Sequence, residues 1–275
     1  MAIITLLTDF GLQDEYVGVL KGVILGIHPE VRIVDITHGI PPQDVKTAAY
    51  TLKSAFHFFP QHTIHVTIVD PGVGSQRRII AVTCAMHIFL APDNGLLIPL
   101  LTAFQPEGIY CVENENLFKH PVSRTFHGRD IFAPVAAHLS LGMSVKNLGR
   151  SVSAEELQSL TVCCPAKDCP GTLEGEVVNV DRFGNLITNI NDMDLTEMGT
   201  TKIVVILGCH MIERVVDAYT EGRRGEACAI IGSRNCLEIF INNGSAAHTL
   251  NCRQGDRVQV NKKGKEEGII LRKGD

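Results

Sequence analysis

The feature that most constrains this chain is the alternation, through its first hundred residues, of short apolar runs with stretches of helical period. Ile3 to Thr8 is an apolar run too short for a stable helix. Asp14 to Gly26 follows with helical spacing, placing Val17, Leu20, Val23, Ile24 and the adjoining Ile27 on one face. Val31 to Ile36 reads as a second strand, Asp44 to Phe58 as a second helix and Thr63 to Val69 as a third strand. That strand runs out into Asp70-Pro71-Gly72-Val73-Gly74, and Arg78 to Cys84 with His87 to Ala91 reads as a strand pair. Strands that are apolar on both faces must be covered on both faces. Interleaved helices do this, so the pattern predicts an α/β sandwich around a mostly parallel central sheet.

Beyond about Gly149 the character changes. Residues 161–171 are rich in Cys, Pro and Gly and read as a linker. After it come short strand signals at regular spacing: Glu174 to Asp181, Leu186 to Ile190, Lys202 to Leu207, Arg214 to Ala218, Cys228 to Ile231, Leu237 to Ile241, Arg257 to Val260 and Gly268 to Leu271. The first two flank Arg182-Phe183-Gly184-Asn185 and resemble a hairpin. A smaller C-terminal β-barrel is expected. The expected domains are therefore 1–160 and 172–275, joined by 161–171.

The length of 275 residues suits two domains. A formal net charge of −5 with no basic run argues against nucleic-acid binding. Lys262-Lys263-Gly264-Lys265-Glu266-Glu267 reads as a solvated turn. No apolar run reaches the ~20 residues of a membrane helix. The N-terminus reads as a first strand and not as a signal peptide. Nine cysteines, an odd count without a disulfide-like pattern, suggest reduced thiols and a cytoplasmic protein. Cys163, Cys164 and Cys169 suggest a partial metal site. No second ligand pair with zinc-like spacing accompanies them, so no metal is expected.

Candidate site residues cluster where α/β sheets place them, beyond the carboxyl ends of strands. Asp9 closes the first strand, Asp14 opens the following helix and Asp70 closes the third strand. Asp9 could equally brace its loop, and Asp14 could be a helix cap. The loop from Asp70 to Arg77 is glycine-rich but carries neither a Walker A motif nor a dinucleotide fingerprint, and an Asp–Arg pair could span it. Thr125-Phe126-His127-Gly128-Arg129-Asp130 places a histidine in a charged, glycine-containing context before a helix start near Asp130.

Together these segments resemble the SAM hydrolase family, also called SAM hydroxide adenosyltransferases, which is related to the SAM-dependent fluorinase and chlorinase. The matching motifs are Thr8-Asp9-Phe10-Gly11 with Asp14, Asp35-Ile36-Thr37-His38 followed by Pro42-Gln43-Asp44, and Val69-Asp70-Pro71-Gly72-Val73-Gly74. They continue with Ala91-Pro92-Asp93-Asn94-Gly95, Phe126-His127-Gly128-Arg129-Asp130, Asp181-Arg182-Phe183-Gly184-Asn185 and Asn242-Asn243-Gly244-Ser245-Ala246-Ala247. The resemblance implies an N-terminal α/β domain, a C-terminal β-barrel and a homotrimer with sites shared between subunits. It places the catalytic residues at Asp70, Arg77 (with Arg78 beside it) and His127. It implies ribose binding by Asp14 in the neighbourhood of Asp9, and a hold on the methionine amino group by Asp181. Ser233 and Arg234 would hold the carboxylate, Phe126 and Phe183 would form apolar walls, and Asn185 and the Asn243 backbone would read adenine.

The implied reaction is attack of water on ribose C5′ of S-adenosylmethionine (SAM), giving adenosine and methionine. SAM is then the substrate and no cofactor is needed. Asp70 and His127 are the candidates to hold or deprotonate the water, with Arg77 orienting Asp70. A halogenase would need a dry, anion-accepting pocket. The halogenating relatives carry an aromatic residue in place of Asp70 and a serine in place of Gly128, and the fluorinase has Trp where this chain has Gln43. A non-catalytic SAM or adenosine sensor is the other alternative.

Overall fold

The computed structural model describes residues 2–160, 171–199 and 202–263. The chain divides into two compact units, Met1–Thr161 and Val162–Asp275. The 161–170 part of the expected linker, with Cys163, Cys164 and Cys169, lies outside the described residues, as does the expected strand Gly268 to Leu271. No helix among the described residues is long and apolar enough to cross a membrane.

The first unit runs β1 (Ile3–Thr8), α1 (Tyr16–Ile27), β2 (Arg32–Thr37), α2 (Val45–Ala55), β3 (Ile64–Ile68), β4 (Ile79–Cys84), β5 (His87–Pro92), α3 (Ile98–Ala103), β6 (Pro106–Cys111) and α4 (Ala133–Ser140). Its sheet has the order β2-β1-β3-β5-β4-β6. The pairs β1–β2, β1–β3 and β3–β5 are parallel, whereas β4 runs antiparallel to both its neighbours. Alternate residues of each strand face opposite layers. Ile4, Leu6, Ile64, Val66 and Ile68 pack with Leu20 and Ile24 of α1 and with Val135 and Ala136 of α4. Leu7, Phe89 and Ala91 pack on the other side with Leu52 of α2 and Leu100 of α3. Leu20, Ile24 and Leu52 are fully buried, each contributing about 1.5–3 kcal/mol of transfer free energy.

Two helix starts differ from the sequence expectation. α1 begins at Tyr16 with Glu15 in the cap position and no side-chain cap bond, so Asp14 is not a cap. α2 begins at Val45 because the Asp44 carboxylate accepts the Thr47 amide at 2.9 Å. It ends at Ala55, and a 3₁₀ turn, Phe56–Phe58, completes the predicted stretch.

The second unit runs β7 (Thr172–Val180), β8 (Leu186–Asn191), α5 (Asp192–Glu197), β9 (Ile203–Leu207), β10 (His210–Ile212), β11 (Ala227–Ile231), β12 (Cys236–Ile241), α6 (Ala246–Thr249) and β13 (Arg257–Lys262). The strands form one antiparallel sheet, β10-β9-β13-β7-β8-β12-β11. Its edge strands β10 and β11 approach each other, so the sheet is barrel-like and nearly closed. Leu173, Val177, Leu186, Leu237, Ile239 and Val260 fill its core.

Arg214 to Ala218 is not a strand. Only Val215 makes a bridge, to Ala229, before the chain turns into a 3₁₀ turn at Tyr219–Glu221. The unpredicted β10 is a three-residue strand set against β9 by the Gly208-Cys209 turn. Lys262 closes β13 and is not part of a turn.

Candidate active site

The neighbouring parallel strands β1 and β3 end in register, Thr8 beside Ile68. Their next residues carry Asp9 and, two positions on, Asp70 to the carboxyl edge of the sheet. Pairing of β3 ends at Ile68, and Pro71, which lacks an amide hydrogen, cannot resume it. The Val69 carbonyl is held by Asn94 Nδ2 at 2.9 Å. The loop then folds back through Val73 N to Asp70 O at 3.2 Å and Ser75 N to Gly72 O at 3.1 Å. Gly74 has φ +79, and any side chain there would collide with the Arg124 carbonyl. This tight return brings Arg77 against Asp70.

Arg77 Nε lies 2.9 Å and 2.8 Å from the two oxygens of Asp70, and its Nη2 also donates to Asp70 Oδ2. The same Nη2 donates to His127 Nδ1 at 2.8 Å. The side chains of Arg77 and Asp70 are 10% and 5% exposed, so this pair is shielded from water. Arg78 turns elsewhere: its Nε donates to Asp93 Oδ2 at 2.8 Å. Burial, and next the Arg77 charge, lower the pKa of His127, while Asp70 and Asp130 oppose this weakly. Because an arginine can only donate, Nδ1 of a neutral His127 accepts and the proton resides on Nε2.

His127 immediately precedes a π-helical turn, Gly128–Phe132, which leads into α4. The helix expected to start at Asp130 therefore begins as this widened turn. Asp130 is fully buried. It accepts the Ser123 amide at 2.8 Å and Arg129 Nε at 2.7 Å, which ties the preceding loop to the turn. Asp70, His127, Asp9, Phe10, Tyr16, Gln43 and Phe126 line one cleft of about 520 Å³. Phe10, Tyr16 and Phe126 form an aromatic wall with centroids 5.1–6.1 Å apart. Asp9 braces the cleft by accepting the Gln43 amide at 2.8 Å. Asp14 is exposed and does not line the cleft, although its neighbours Glu15 and Tyr16 do. Phe10, Tyr16 and Gln43 line the cleft without being expected there from the sequence, although Phe10 and Gln43 stand inside the family motifs.

The second unit brings Asp181, Phe183, Asn185, Ser233, Arg234 and Asn243 together around one pocket of about 710 Å³. Asp181 organises the turn between β7 and β8. Its Oδ1 accepts the Phe183 and Asn185 amides at 2.8 Å and 2.9 Å, and its Oδ2 accepts Asn185 Nδ2 at 2.9 Å. Gly184, at φ +84, packs where a Cβ would collide with Ser245. Phe183 is left 76% exposed at the pocket edge. Tyr219 and Glu238 also line the pocket and were not anticipated. The signal for Glu238 was a single charge within the apolar strand Leu237 to Ile241.

No group of three or more His, Cys, Asp or Glu suited to a metal occurs among the described residues. Residues 4–149 match the N-terminal domain of the SAM hydroxide adenosyltransferases and residues 175–259 match their C-terminal domain. The chain belongs to that family.

It is 34% identical to an (R)-S-adenosyl-L-methionine hydrolase of Thermus thermophilus, covering 92% of this chain and 97% of the relative. It is 29% identical to a fluorinase of an Actinoplanes species, covering 94% and 97%. A crystal structure of a conserved protein from Thermotoga maritima superposes with a TM-score of 0.88 at 36% identity, covering 94% of this chain and all of that one.

Proposed function

We propose that this chain hydrolyses SAM to adenosine and L-methionine by attack of water on ribose C5′. The observation that carries this reading is the shielded Asp70 carboxylate in the cleft, held by an arginine that also fixes His127. In the reaction an oxygen–C5′ bond forms and the C5′–sulfur bond breaks. The electron pair stays on sulfur, converting the sulfonium to the neutral thioether of methionine. Such a leaving group needs no metal to assist it.

The tautomer divides the proton work. His127 Nδ1 is engaged by Arg77 and its Nε2 carries hydrogen, so His127 positions the water as a donor. Asp70 accepts three hydrogen bonds from Arg77, keeps about one lone pair and takes the water's proton.

The relatives named fluorinase make halide the competing nucleophile. An anion about 4 Å from the Asp70 carboxylate meets a repulsion of about 4 kcal/mol at an effective dielectric of 20. Arg77, the nearest balancing charge, is engaged by Asp70 and His127 and offers a halide little in return. Both features favour neutral water.

In the second unit, Phe183 and Asn185 with the Asn243 backbone take the adenine, and Arg234 with Ser233 takes the amino-acid carboxylate. Asp9 and Asp14 belong to the ribose end, and Phe126 to the wall beside it. Asp181 acts on the amino group and as the brace of its own turn. The proposal includes a homotrimer with sites shared by neighbouring subunits. It also includes a cytoplasmic location, supported by the six described cysteines all being free thiols.

The test is product analysis of purified protein with SAM in H₂¹⁸O, with and without chloride or fluoride. Adenosine labelled at its 5′-oxygen, with equimolar methionine, is expected. A 5′-halogenated product would assign the chain to halide transfer. Mixing Asp70→Asn protein with Phe183→Ala protein, assayed at SAM well below the raised KM of the latter, tests subunit sharing: after subunit exchange a rate several-fold above the sum of the two separate proteins is expected, and a rate equal to that sum would refute shared sites.

A further inference from the structure

Glu238 is an acidic side chain in an unusual setting. It is 6% exposed, yet it lines the second unit's pocket. Its Oε1 accepts the Tyr219 hydroxyl at 2.6 Å, while Oε2 has no hydrogen-bond partner among the described residues. Oε2 rests against Gly232, where any Cβ would displace it. No cation forms an ion pair with it among the described residues, although Arg234 acts on it from a distance. Burial above all, and the nearby Asp181 charge, push its carboxyl above the ordinary range. A buried carboxylate with an open oxygen is costly unless a donor completes it.

Its place along β12 says which donor. The Ser233-Arg234 turn leads directly into β12, and Gly232 N bonds the Cys236 carbonyl at the base of that turn. Asn243 lies in the tight turn just past Ile241, the far end of the strand, which is about 10 Å from Glu238 at strand rise. Glu238 pairs with Ile187 of β8, which sets Asn185 further along β12 toward Asn243. Glu238 therefore stands at the Arg234 end of the pocket, away from the Asn185 and Asn243 end. An amino-acid terminus carries a carboxylate and an ammonium side by side, so it needs a cation and an anion side by side. Of the two acidic residues, Asp181 already accepts three hydrogen bonds within its own turn and has about one lone pair left. Glu238 accepts one and has about three left.

We infer that Glu238, oriented by Tyr219, is a specificity-determining residue that receives the ammonium of the substrate's amino-acid end, next to Arg234, supplying the acceptor positions that the single remaining lone pair of Asp181 leaves unfilled. This rests on the proposed nucleoside–amino-acid substrate, and its test separates the two readings.

Calorimetric titration of the full protein uses three probes: adenosine, S-adenosylhomocysteine, and the deaminated analogue of S-adenosylhomocysteine, which keeps the carboxylate. Glu238→Gln keeps the acceptor for Tyr219 and removes the charge. It is expected to weaken S-adenosylhomocysteine roughly 10- to 100-fold, the worth of a hydrogen bond to a charged group, and to leave the other two probes unchanged. Tyr219→Phe, which keeps the ring, is expected to give a smaller loss with the same ligand order. It carries the test if Glu238→Gln does not fold. Equal loss for all three probes, or no loss for any, would overturn the assignment. Wild-type protein that binds adenosine but gains nothing from the ammonium would overturn it while leaving the nucleoside reading intact. Failure of the wild type to bind adenosine would remove both.

Discussion

The two pockets are built by opposite means. In the first unit the groups proposed to react are shielded side chains held by charge: Arg77 grips Asp70 and His127, and Arg129 grips the buried Asp130. In the second unit the groups proposed to recognise substrate are held by backbone turns, with Asp181 fastening its loop and Phe183 standing open to solvent. The difference teaches where each kind of work is done. Positioning a proton acceptor requires geometry fixed before substrate arrives, and buried ion pairs fix it. Recognising a planar base requires apolar surface that remains available to be covered.

The largest expected effect breaks the first arrangement alone. Asp70→Asn keeps the shape and one acceptor oxygen for Arg77, but it replaces the other oxygen by an NH2 donor and removes the proton acceptor. Turnover of SAM is expected to fall by about 10²–10⁴-fold, while adenosine affinity measured by calorimetry stays within a factor of about three. Turnover near the wild-type rate would remove Asp70 from its role. A matching loss of adenosine affinity would show that the cleft recognises as much as it reacts.

Acid should move the two units in opposite directions. His65 is fully buried on the α2 side of β3, with Nδ1 2.7 Å from Thr5 Oγ1 and Nε2 3.3 Å from His87 Nδ1. Burial, and next the neighbouring His87, bring its pKa from 6.5 down to about 3. Between those values the unfolded chain binds a proton that the folded unit refuses. Stability of the first unit therefore falls as pH falls through this window, by roughly 1.4 kcal/mol per pH unit.

Glu238 has the opposite sign. Its folded carboxyl is raised above 4.5, so the folded second unit binds its proton first and gains stability as neutral solution is acidified toward 4.5. Hydrogen exchange at pH 6.5 and 5, corrected for intrinsic rates, should show β3 and β5 losing protection while β8 and β12 hold or gain it. Loss of protection in both units together would erase this contrast, and His65→Gln should blunt the change in the first unit.

How much of this was legible in the sequence follows the range of the forces involved. β1, β3 and β5 could be read because strands buried on both faces must be apolar along their length. α2 could be read because Asp44 caps it locally. β10 could not, since three residues carry no periodicity. The expected strand Arg214 to Ala218 failed because its paired valines suit a strand, yet the segment makes a single bridge, Val215 to Ala229. Asp14 looked like a cap by position, but the helix begins two residues later without a side-chain cap. At the site, the motifs named Asp70 and His127. Whether Arg77 or Arg78 joins them depends on how the loop closes at Gly74, which is a matter of three-dimensional contact. Glu238 was hidden because a lone charge in a strand acquires meaning only when Tyr219 and the Ser233-Arg234 turn are brought beside it.

The smallest expected effect sharpens the contrast from the second unit's side. Phe183 is 76% exposed, so Phe183→Ala removes little buried surface and should leave the melting temperature within about 2 °C of wild type. If its ring covers the base, adenosine affinity and the KM for SAM should each weaken about tenfold, equivalent to about 1.4 kcal/mol. The turnover number should stay nearly constant, because the lost contact is made equally in the ground and transition states. Asp70→Asn should show the reverse split, with turnover lost and affinity kept. A fall in turnover for Phe183→Ala with unchanged KM would mean that the exposed ring contributes to reaching the transition state, and the division between a reacting cleft and a recognising pocket would no longer hold.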